Sequence, residues 1–380
     1  MTLRTSWMDE ELREFREAAI GFFERESLPH TERWENQQHV DRELWNKAGE
    51  AGLLCVSIPE EYGGGGGTFV HEAALAEAQA YAGDFAFGNH VHSPIVAHYL
   101  LNCGTEEQKK TWLPKLASGE VVGAIAMTEP GTGSDLQSIS TKAKLGGYEY
   151  VVNGAKTFIT NGHHAGLVLV VARTGGEGAK GLSLLLVDTT EAQGFSRGRV
   201  LNKIGMKGQD TAELFFDEMR VPAKNILGGE PSQGFAQLMR QLPQERLIIA
   251  ATAMGAIERA IDDAVSYAKE RNAFGRSLLE FQNTRFVLAE CRTEADVARA
   301  FIDRCVEAHT VGKLDATDAS QVKYWLTDKQ GEIIDRCLQI FGGYGYMLEY
   351  PIARSYAAAR VQRIYGGTNE IMKELIARSL

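Results

Sequence analysis

The sequence predicts an α+β multi-domain fold: an N-terminal helical domain over residues 1–120, a middle β-barrel-like domain over 121–230 and a C-terminal helical bundle over 231–380. Three observations carry this. The first hundred or so residues place apolar side chains three and four apart, with charge between them. From Val121 to Gly228 the pattern shortens to alternating or continuous apolar runs bounded by Gly and Asn. From Gly234 onward the helical period returns.

The elements follow in order. Leu12, Phe15, Ala19, Phe22 and Phe23 fall on one face of an amphipathic helix that packs on a neighbour. "DRELWNKAGEAG", "HEAALAEAQAYAG" and "EEQKKTWLPKLASG" read as further helices. Between the first two, "IPEEYGGGGG" (58–67) is turn-rich, either a flexible connector or a packed loop. "EYVVNG", "FITNG", "LVLVVART", "LSLLLVD" and "AELFFDEMRVP" read as strands. The C-terminal helices are expected to break at Pro243 and at the loops "RNAFGRSL" and "FGGYGYMLEYP". No repeat of fixed period and no low-complexity linker interrupts this order.

Composition excludes several classes of function. The chain carries 50 acidic against 40 basic residues, a formal charge of −10. That balance argues against nonspecific binding to nucleic acid or to an anionic membrane surface. The five cysteines, Cys55, Cys103, Cys291, Cys305 and Cys337, show no Cys-x-x-Cys spacing. Neither a disulfide framework nor a zinc site is expected from them, and a reducing compartment is. The first residues lack the apolar core of a signal peptide, and no stretch is long enough to span a membrane. A cytoplasmic protein with no metal and no membrane insertion is the expectation.

Several loops carry residues suited to ligand chemistry. "AMTEPGTGSDL" (126–136) combines glycines, which admit close approach of a ligand to the backbone, with the hydroxyls of Thr128 and Ser134. A capped hairpin would look the same, and the third glycine of a dinucleotide fingerprint is missing. "KTFITNG" places Phe158 and Thr160 on one side of a strand, where they would cover a flat ring and bond its edge. A buried Phe beside an Asn-Gly turn is the plainer alternative, and the following His163 and His164 read as surface-turn residues. "ERNAFGRSLLEFQ" offers Arg271 and Gln282, and "LQIFGGYGYMLEYP" offers Gln339, Gly342 and Gly343. Arginine and glycine-freed amides both suit a diphosphate; singly, each residue equally fits a salt bridge or a helix stop.

Taken together and in this order, "AMTEPGTGSD", "FITNG", "RNAFGRSLLEFQ", "LQIFGGYGY" and "IYGGTNEI" resemble the acyl-CoA dehydrogenase family over essentially the whole chain. The resemblance implies FAD held between the β domain and the C-terminal helices, partly by a second subunit. It places Ile125, Met127, Thr128 and Ser134 along the flavin and its diphosphate, and Phe158 and Thr160 at the isoalloxazine ring. Many members have Trp where this chain has Phe158. Arg271, Gln282, Gln339, Gly342 and Gly343 would hold the adenine-side half across a dimer interface, and Thr368 and Glu370 would also meet the cofactor. Ser134, Pro243, Glu245, Arg246, Gly366 and Gly367 would face the substrate. The implied reaction is α,β-dehydrogenation of an acyl-CoA in fatty acid β-oxidation, with an electron-transfer flavoprotein as acceptor and a homotetrameric assembly.

That reaction needs a base for the α proton. In many members a glutamate follows the Tyr of the Ile-Tyr motif; here "RIYGGTNEIMKEL" puts Gly366 there, which has no proton acceptor. "RQLPQERLIIAATAMG" offers Glu245 among Leu242, Leu247, Ile248 and Ile249, a setting that raises a carboxyl pKa if the helix is buried. An exposed Glu-Arg pair on a helix face is the alternative from residues alone. A subset of the family, including the long-chain and isovaleryl types, carries its base on this helix, so the resemblance assigns Glu245 as base. The Gly366 N–H would then bond the thioester oxygen, and Arg246 would organise the charge of the site. The segment "GNHVHSPIVAHYL" (88–100) would contribute to the acyl pocket, with His90 and His92 packing or surface residues rather than catalysts. Two further readings stay open: an oxygen-using flavin oxidase or monooxygenase on the same scaffold, and a nucleic-acid-binding flavoprotein, against which the acidic charge argues.

Overall fold

The computed structural model describes residues 5–380. The N-terminal layer comprises α1 (Glu10–Glu26), α2 (Thr31–Gln37), α3 (Arg42–Glu50), α4 (Phe69–Ala82), a short α5 (Asn89–Val91), α6 (His98–Cys103) and α7 (Glu106–Ala117). The Asp9 carboxylate starts α1 by accepting the Leu12 N–H at 2.9 Å, and Thr105 with Gln108 forms a capping box on α7. Phe22 and Phe23 of α1, Leu44 and Trp45 of α3 and Ala78 of α4 meet in one buried cluster.

The glycine run is a packed loop, not a flexible connector. Gly65, Gly66 and Gly67 donate their N–H groups to the carbonyls of Cys55, Ile58 and Val56. A Cβ on Gly64 would stand 2.2 Å from the Ile58 carbonyl oxygen, so no side chain fits there.

The middle region is one curled sheet of seven strands: β1 (Gly123–Ala126), β2 (Lys142–Gly146), β3 (Glu149–Thr160), β4 (Leu167–Arg173), β5 (Leu182–Asp188), β6 (Phe195–Val200) and β7 (Thr211–Pro222). β5 pairs with one side of β4; β1 and then β2 share its other side, and the path continues through β3 and β7 to β6. Successive residues of β4 serve two cores. Val168 and Val170 pack with the sheet's own residues, whereas Leu167, Leu169 and Val171 pack against Tyr99, Leu100, Leu113 and Leu116 of α6 and α7. The continuous apolar run of β4 records this burial on both faces.

The C-terminal layer consists of α8 (Gly234–Glu270), a hairpin of β8 (Asn272–Ala273) and β9 (Arg276–Ser277), α9 (Gln282–Thr310), α10 (Ala316–Ile340), α11 (Pro351–Gln362) and α12 (Asn369–Ala377). The expected break at Pro243 does not occur: α8 runs 37 residues straight through it. A proline removes one helical hydrogen bond and crowds the preceding turn, at a cost of roughly 3 kcal/mol. The buried surface of Leu238, Leu242, Leu247 and Ile248 on both sides of it outweighs that local penalty.

The layers are tied by one buried cation. Arg299 of α9, 1% exposed, donates twice to Glu77 of α4 at 2.7 and 2.9 Å, to Glu258 of α8 at 2.8 Å and to Asp303 at 3.3 Å. Asp303 also accepts the Ser6 N–H and the Trp7 indole N–H, which ties the start of the described chain to α9. Removing this guanidinium would leave Glu77 buried without its cation and take one partner each from Glu258, which also meets Arg16, and Asp303. Arg299→Met is therefore expected to destabilise the protein by about 3–5 kcal/mol, read as a lowered urea midpoint with unchanged helix content below it.

Candidate active site

The site is built where α8, α6, α10 and the Gly366–Gly367 turn converge. Glu245 of α8 is 5% exposed, and its carboxylate accepts the Tyr99 hydroxyl of α6 at 2.8 Å. Burial raises the Glu245 pKa to about 7, against the opposing pull of the Tyr99 hydrogen bond and the Arg246 charge. A carboxyl with that value exchanges protons near neutral pH, as an ordinary surface glutamate does not.

The segment before Tyr99 is shaped by this contact. Residues His92–Ala97 form a π-helical turn containing Pro94. The Pro94 carbonyl accepts from the Gln244 amide at 2.7 Å, and the His98 carbonyl accepts a longer bond from Gln241 at 3.4 Å. Side chains of α8 thus bond one carbonyl of the widened turn and one at the start of α6. His92 is fully buried and bonded to the Leu116 carbonyl and the Gly123 N–H, a packing role as expected.

Gly366 and Gly367 have φ of 65° and 93°, a left-handed region that costs side-chain-bearing residues free energy. Their carbonyls are held from below by two buried cations. Arg246 Nε donates to the Gly366 oxygen at 3.4 Å, and Lys323 Nζ of α10 donates to the Gly367 oxygen at 2.7 Å. Lys323 also donates to the Asn369 side chain at 2.9 Å, and Asn369 donates to the Tyr324 carbonyl, Thr327 and Asp328. Burial and the nearby Arg246 lower the Lys323 pKa to about 7. Among the described residues the N–H groups of Gly366 and Gly367 have no hydrogen-bond partner. The turn thus fixes its carbonyls and leaves its donors available. A Cβ at Gly366 would stand 2.5 Å from Ile249 Cδ1, one turn of α8 beyond Glu245. The space into which a side chain at 366 would grow is filled by the helix that carries Glu245.

Ile125 and Met127 are half-buried at the end of β1, beside β3. Thr157 N–H donates to the Thr128 carbonyl, and Lys156 Nζ donates to the Met127 carbonyl, both at 2.9 Å. The 126–136 loop is locked by Glu129, which pairs with the fully buried Lys156 at 2.9 Å and accepts from Ser140 and Thr141. Burial pushes the Glu129 carboxyl upward, but Lys156 and these donors outweigh it and hold it at about 2. Phe158 sits in a bulge of β3 with φ of 60° and its ring 66% exposed. A non-glycine residue held there stores about 1–3 kcal/mol of strain, a mark of functional positions. Thr160 is half-buried and Ser134 exposed; the hydroxyls of Thr128, Ser134 and Thr160 make no hydrogen bond among the described residues.

An exposed strained ring beside uncommitted hydroxyls fits a flat heterocycle with a polar edge, which is the shape of FAD's isoalloxazine. Asn161 joins this strand end to the 88–99 segment by donating to the Gly88 carbonyl at 3.0 Å, and the His90 ring lies 6.3 Å from that of Tyr365, next to Gly366. Strand and turn therefore flank one region.

The adenine-side set lies elsewhere in the chain. Arg271, Gln282, Gln339, Gly342 and Gly343 are all exposed, and among the described residues Arg271 makes no ion pair, its guanidinium lying 5.8 Å from the centre of the Tyr344 ring. At 1.5 Å per residue, Arg271 is about 39 Å along α8 from Glu245. Thr368 caps α12 through the Ile371 N–H at 3.4 Å, Glu370 is exposed, and Pro243 is half-buried two residues before Glu245.

Tyr99, Lys323 and the Glu129–Lys156 pair escaped the sequence reading. Lys323 had a signal: it shares a face with Ala319, Val322 and Leu326, where a charge must have a buried partner. Tyr99 carried none, because only the crossing of α6 and α8 brings it to Glu245.

A three-layer helix–sheet–helix chain with a buried carboxylate of raised pKa beside a glycine turn whose N–H groups are free suits an enzyme that takes a proton from the carbon next to a carbonyl. The chain belongs to the acyl-CoA dehydrogenase family: residues 9–120, 124–219 and 232–380 match the family's N-terminal, middle and C-terminal domains. It is 49% identical over 369 residues to the mitochondrial long-chain specific acyl-CoA dehydrogenase of Mus musculus, covering 96% of this chain and 85% of the mouse protein. An acyl-CoA dehydrogenase structure from Geobacillus kaustophilus superimposes with a TM-score of 0.95 at 45% identity, covering 99% of both chains. A glutaryl-CoA dehydrogenase of Mycobacterium smegmatis in complex with FADH2 superimposes with a TM-score of 0.91 at 26% identity, covering 98% of this chain and 94% of that one.

Gly366→Ala tests the turn. It is expected to destabilise the protein by about 1–3 kcal/mol, and adding Ile249→Val, which removes Cδ1, should recover only the steric part. Urea midpoints of the two single variants and the double variant measure the coupling.

Proposed function

We propose that this chain oxidises long straight-chain acyl-CoA thioesters, with Glu245 as the base that removes the α proton. The carrying observation is the burial of Glu245, which puts its pKa near 7 beside the Tyr99 hydroxyl. The Glu245 carboxylate takes the α proton and becomes the neutral acid. Tyr99 holds the carboxylate in one orientation and remains protonated, since burial and Glu245 push its own pKa well up. The free Gly366 N–H donates to the thioester oxygen as negative charge gathers there, an interaction typically worth about 3–4 kcal/mol. Arg246 supports that carbonyl from the opposite side of the turn and adds positive potential. Pro243, Ser134 and Gly367 line the acyl-CoA. Bound FAD supplies the acceptor for the hydride that leaves the β carbon, so that a trans-2-enoyl-CoA results.

Ile125, Met127, Thr128, Ser134, Phe158, Thr160, Thr368 and Glu370 hold the flavin half of FAD in this reading. Arg271, Gln282, Gln339, Gly342 and Gly343 serve the cofactor of a neighbouring subunit, because about 39 Å of helix separates Arg271 from Glu245 within one chain. The β8–β9 hairpin supports such pairing: Phe274 at its tip is 96% exposed, an apolar surface that suits a subunit contact within a homotetramer. The three units divide at residues 120 and 230. Electrons pass on to an electron-transfer flavoprotein. Five unpaired cysteines fit a reducing compartment such as the cytoplasm, and among the described residues no helix is long and apolar enough to cross a membrane. The identity to a long-chain specific relative supports the choice of substrate.

The test is an anaerobic titration of the FAD-loaded protein with palmitoyl-CoA, butyryl-CoA and isovaleryl-CoA, following loss of the flavin absorbance. Fast bleaching by palmitoyl-CoA is expected; preference for another thioester would overturn the substrate, and rapid reoxidation by air would favour an oxidase. Glu245→Gln should retain FAD yet bleach about 10²–10⁴-fold more slowly; a wild-type rate would remove Glu245 from the mechanism.

The base works ionised, so kcat/KM should rise with pH and level off above about 7, the value to which burial raises Glu245. Tyr99→Phe deletes a hydrogen bond that holds this pKa down, so the acid limb should move to higher pH. A limb that stayed in place would show that Tyr99 does not tune the base.

A further inference from the structure

Away from the active site, three imidazoles meet where the N-terminal helices touch the sheet. His39 follows the left-handed Gln38 at the end of α2, and His163 and His164 lie in the turn between β3 and β4. The ring centres are 4.8 Å apart for His39 and His163, and 5.1 Å for each of the other two pairs. One ring nitrogen from each lies within 4.8 Å of the others. Tetrahedral coordination at Zn–N distances of about 2.0–2.1 Å needs nitrogens about 3.4 Å apart, so closure takes a shift of about 1.4 Å. His163 is the exposed member of the three.

The surroundings prepare two of the rings. His39 Nδ1 lies 2.8 Å from the Val40 carbonyl, an acceptor only, so Nδ1 carries the proton; the 3.4 Å contact of Gln37 with the same nitrogen is the weaker one. His164 Nδ1 lies 3.2 Å from an Asp210 carboxylate oxygen and likewise donates. In the neutral tautomers this leaves Nε2 of each with its lone pair. A histidine that donates one ring N–H to a carbonyl or carboxylate while the other nitrogen binds a metal is the usual outer-shell arrangement of metal sites. Asp210 is itself fixed, accepting the backbone N–H groups of His163 at 3.0 Å and His164 at 3.3 Å. Of the nearby cations, Arg197 is engaged with the Gly162 and Ala165 carbonyls and the Thr189 hydroxyl, and Lys203 donates to the Gln209 carbonyl at 2.6 Å.

We propose that His39, His163 and His164 bind one divalent transition ion of the zinc type, with Asp210 and the Val40 carbonyl as outer-shell partners and a fourth position open to solvent. Imidazole-only ligation suits zinc, cobalt, nickel or copper and not magnesium or calcium. The ion would add a second tie between the N-terminal helical layer and the sheet at this edge, beside the hydrogen bond from the Gln38 amide to the Asn202 side chain at 2.6 Å.

The experiment uses the FAD-loaded protein after dialysis against chelator. Co²⁺ is added while the visible d–d absorption is followed, then Zn²⁺ displaces it, and thermal unfolding is recorded with and without Zn²⁺. Expected are one ion per chain, affinity weakened at least tenfold in both His163→Ala and His39→Ala, and a zinc-dependent rise in Tm that both variants lose. His163→Ala alters an exposed turn residue and keeps the test valid if His39→Ala fails to fold. Equal binding in wild type and His163→Ala, the absence of stoichiometric binding, or a thiolate-to-cobalt charge-transfer band would each overturn the site.

Discussion

Two buried cations under two glycine carbonyls organise this molecule's chemistry. Arg246 of α8 and Lys323 of α10 hold the Gly366 and Gly367 oxygens, so the turn cannot rotate its N–H groups away from the region it shares with Glu245. Glycine is required there because the backbone is left-handed at both positions. A flexible turn would have to be ordered each time negative charge developed on a substrate; one clamped from below is ordered beforehand. Arg246, with the Tyr99 hydroxyl, also offsets part of the cost of burying Glu245, whose pKa still rises to about 7.

The placement of the carboxylate follows from the same constraint. A side chain at 366 would begin where Ile249 ends, and Ile249 lies one turn of α8 beyond Glu245. Helix and turn thus exclude one another: an apolar side chain on α8 fills the volume that a side chain on the turn would need. Tyr99 completes the arrangement from α6, whose approach depends on the π-helical turn at His92–Ala97 and on the glutamines of α8 that satisfy its carbonyls. The raised pKa of Glu245 is a property of this three-way packing and belongs to no single element.

Much was legible before any coordinates. The helix–sheet–helix order shows in the hydrophobic period, which changes from about 3.6 to 2 and back because a helix and a strand expose one face at those intervals. The pairing of Glu245 with Gly366 comes from the family resemblance; from the residues alone an exposed Glu-Arg pair is open, and the burial of Glu245 excludes that alternative. The failures are equally physical. Pro243 reads as a break because local propensity disfavours it, but a helix buried on both sides of the proline tolerates one lost hydrogen bond. The glycine run left flexibility and packing open, because a run of glycines is compatible with either until its neighbours are known. His163 and His164 read as a surface turn, and nothing in the chain signals that His39, more than a hundred residues earlier, stacks on them.

By itself the sequence determined the order of layers, the change from helical to strand period and back, and the loops rich in glycine and hydroxyls. Each is encoded within a few residues, at the range where periodicity and backbone preference act. Only the tertiary structure decided that Tyr99 meets Glu245, that Lys323 and Arg246 grip the glycine turn, that Glu129 and Lys156 lock the 126–136 loop, and that Arg271 stands far from Glu245. These depend on the angles and registers at which long elements cross, and a pKa follows from the resulting distance and burial, which local sequence does not contain.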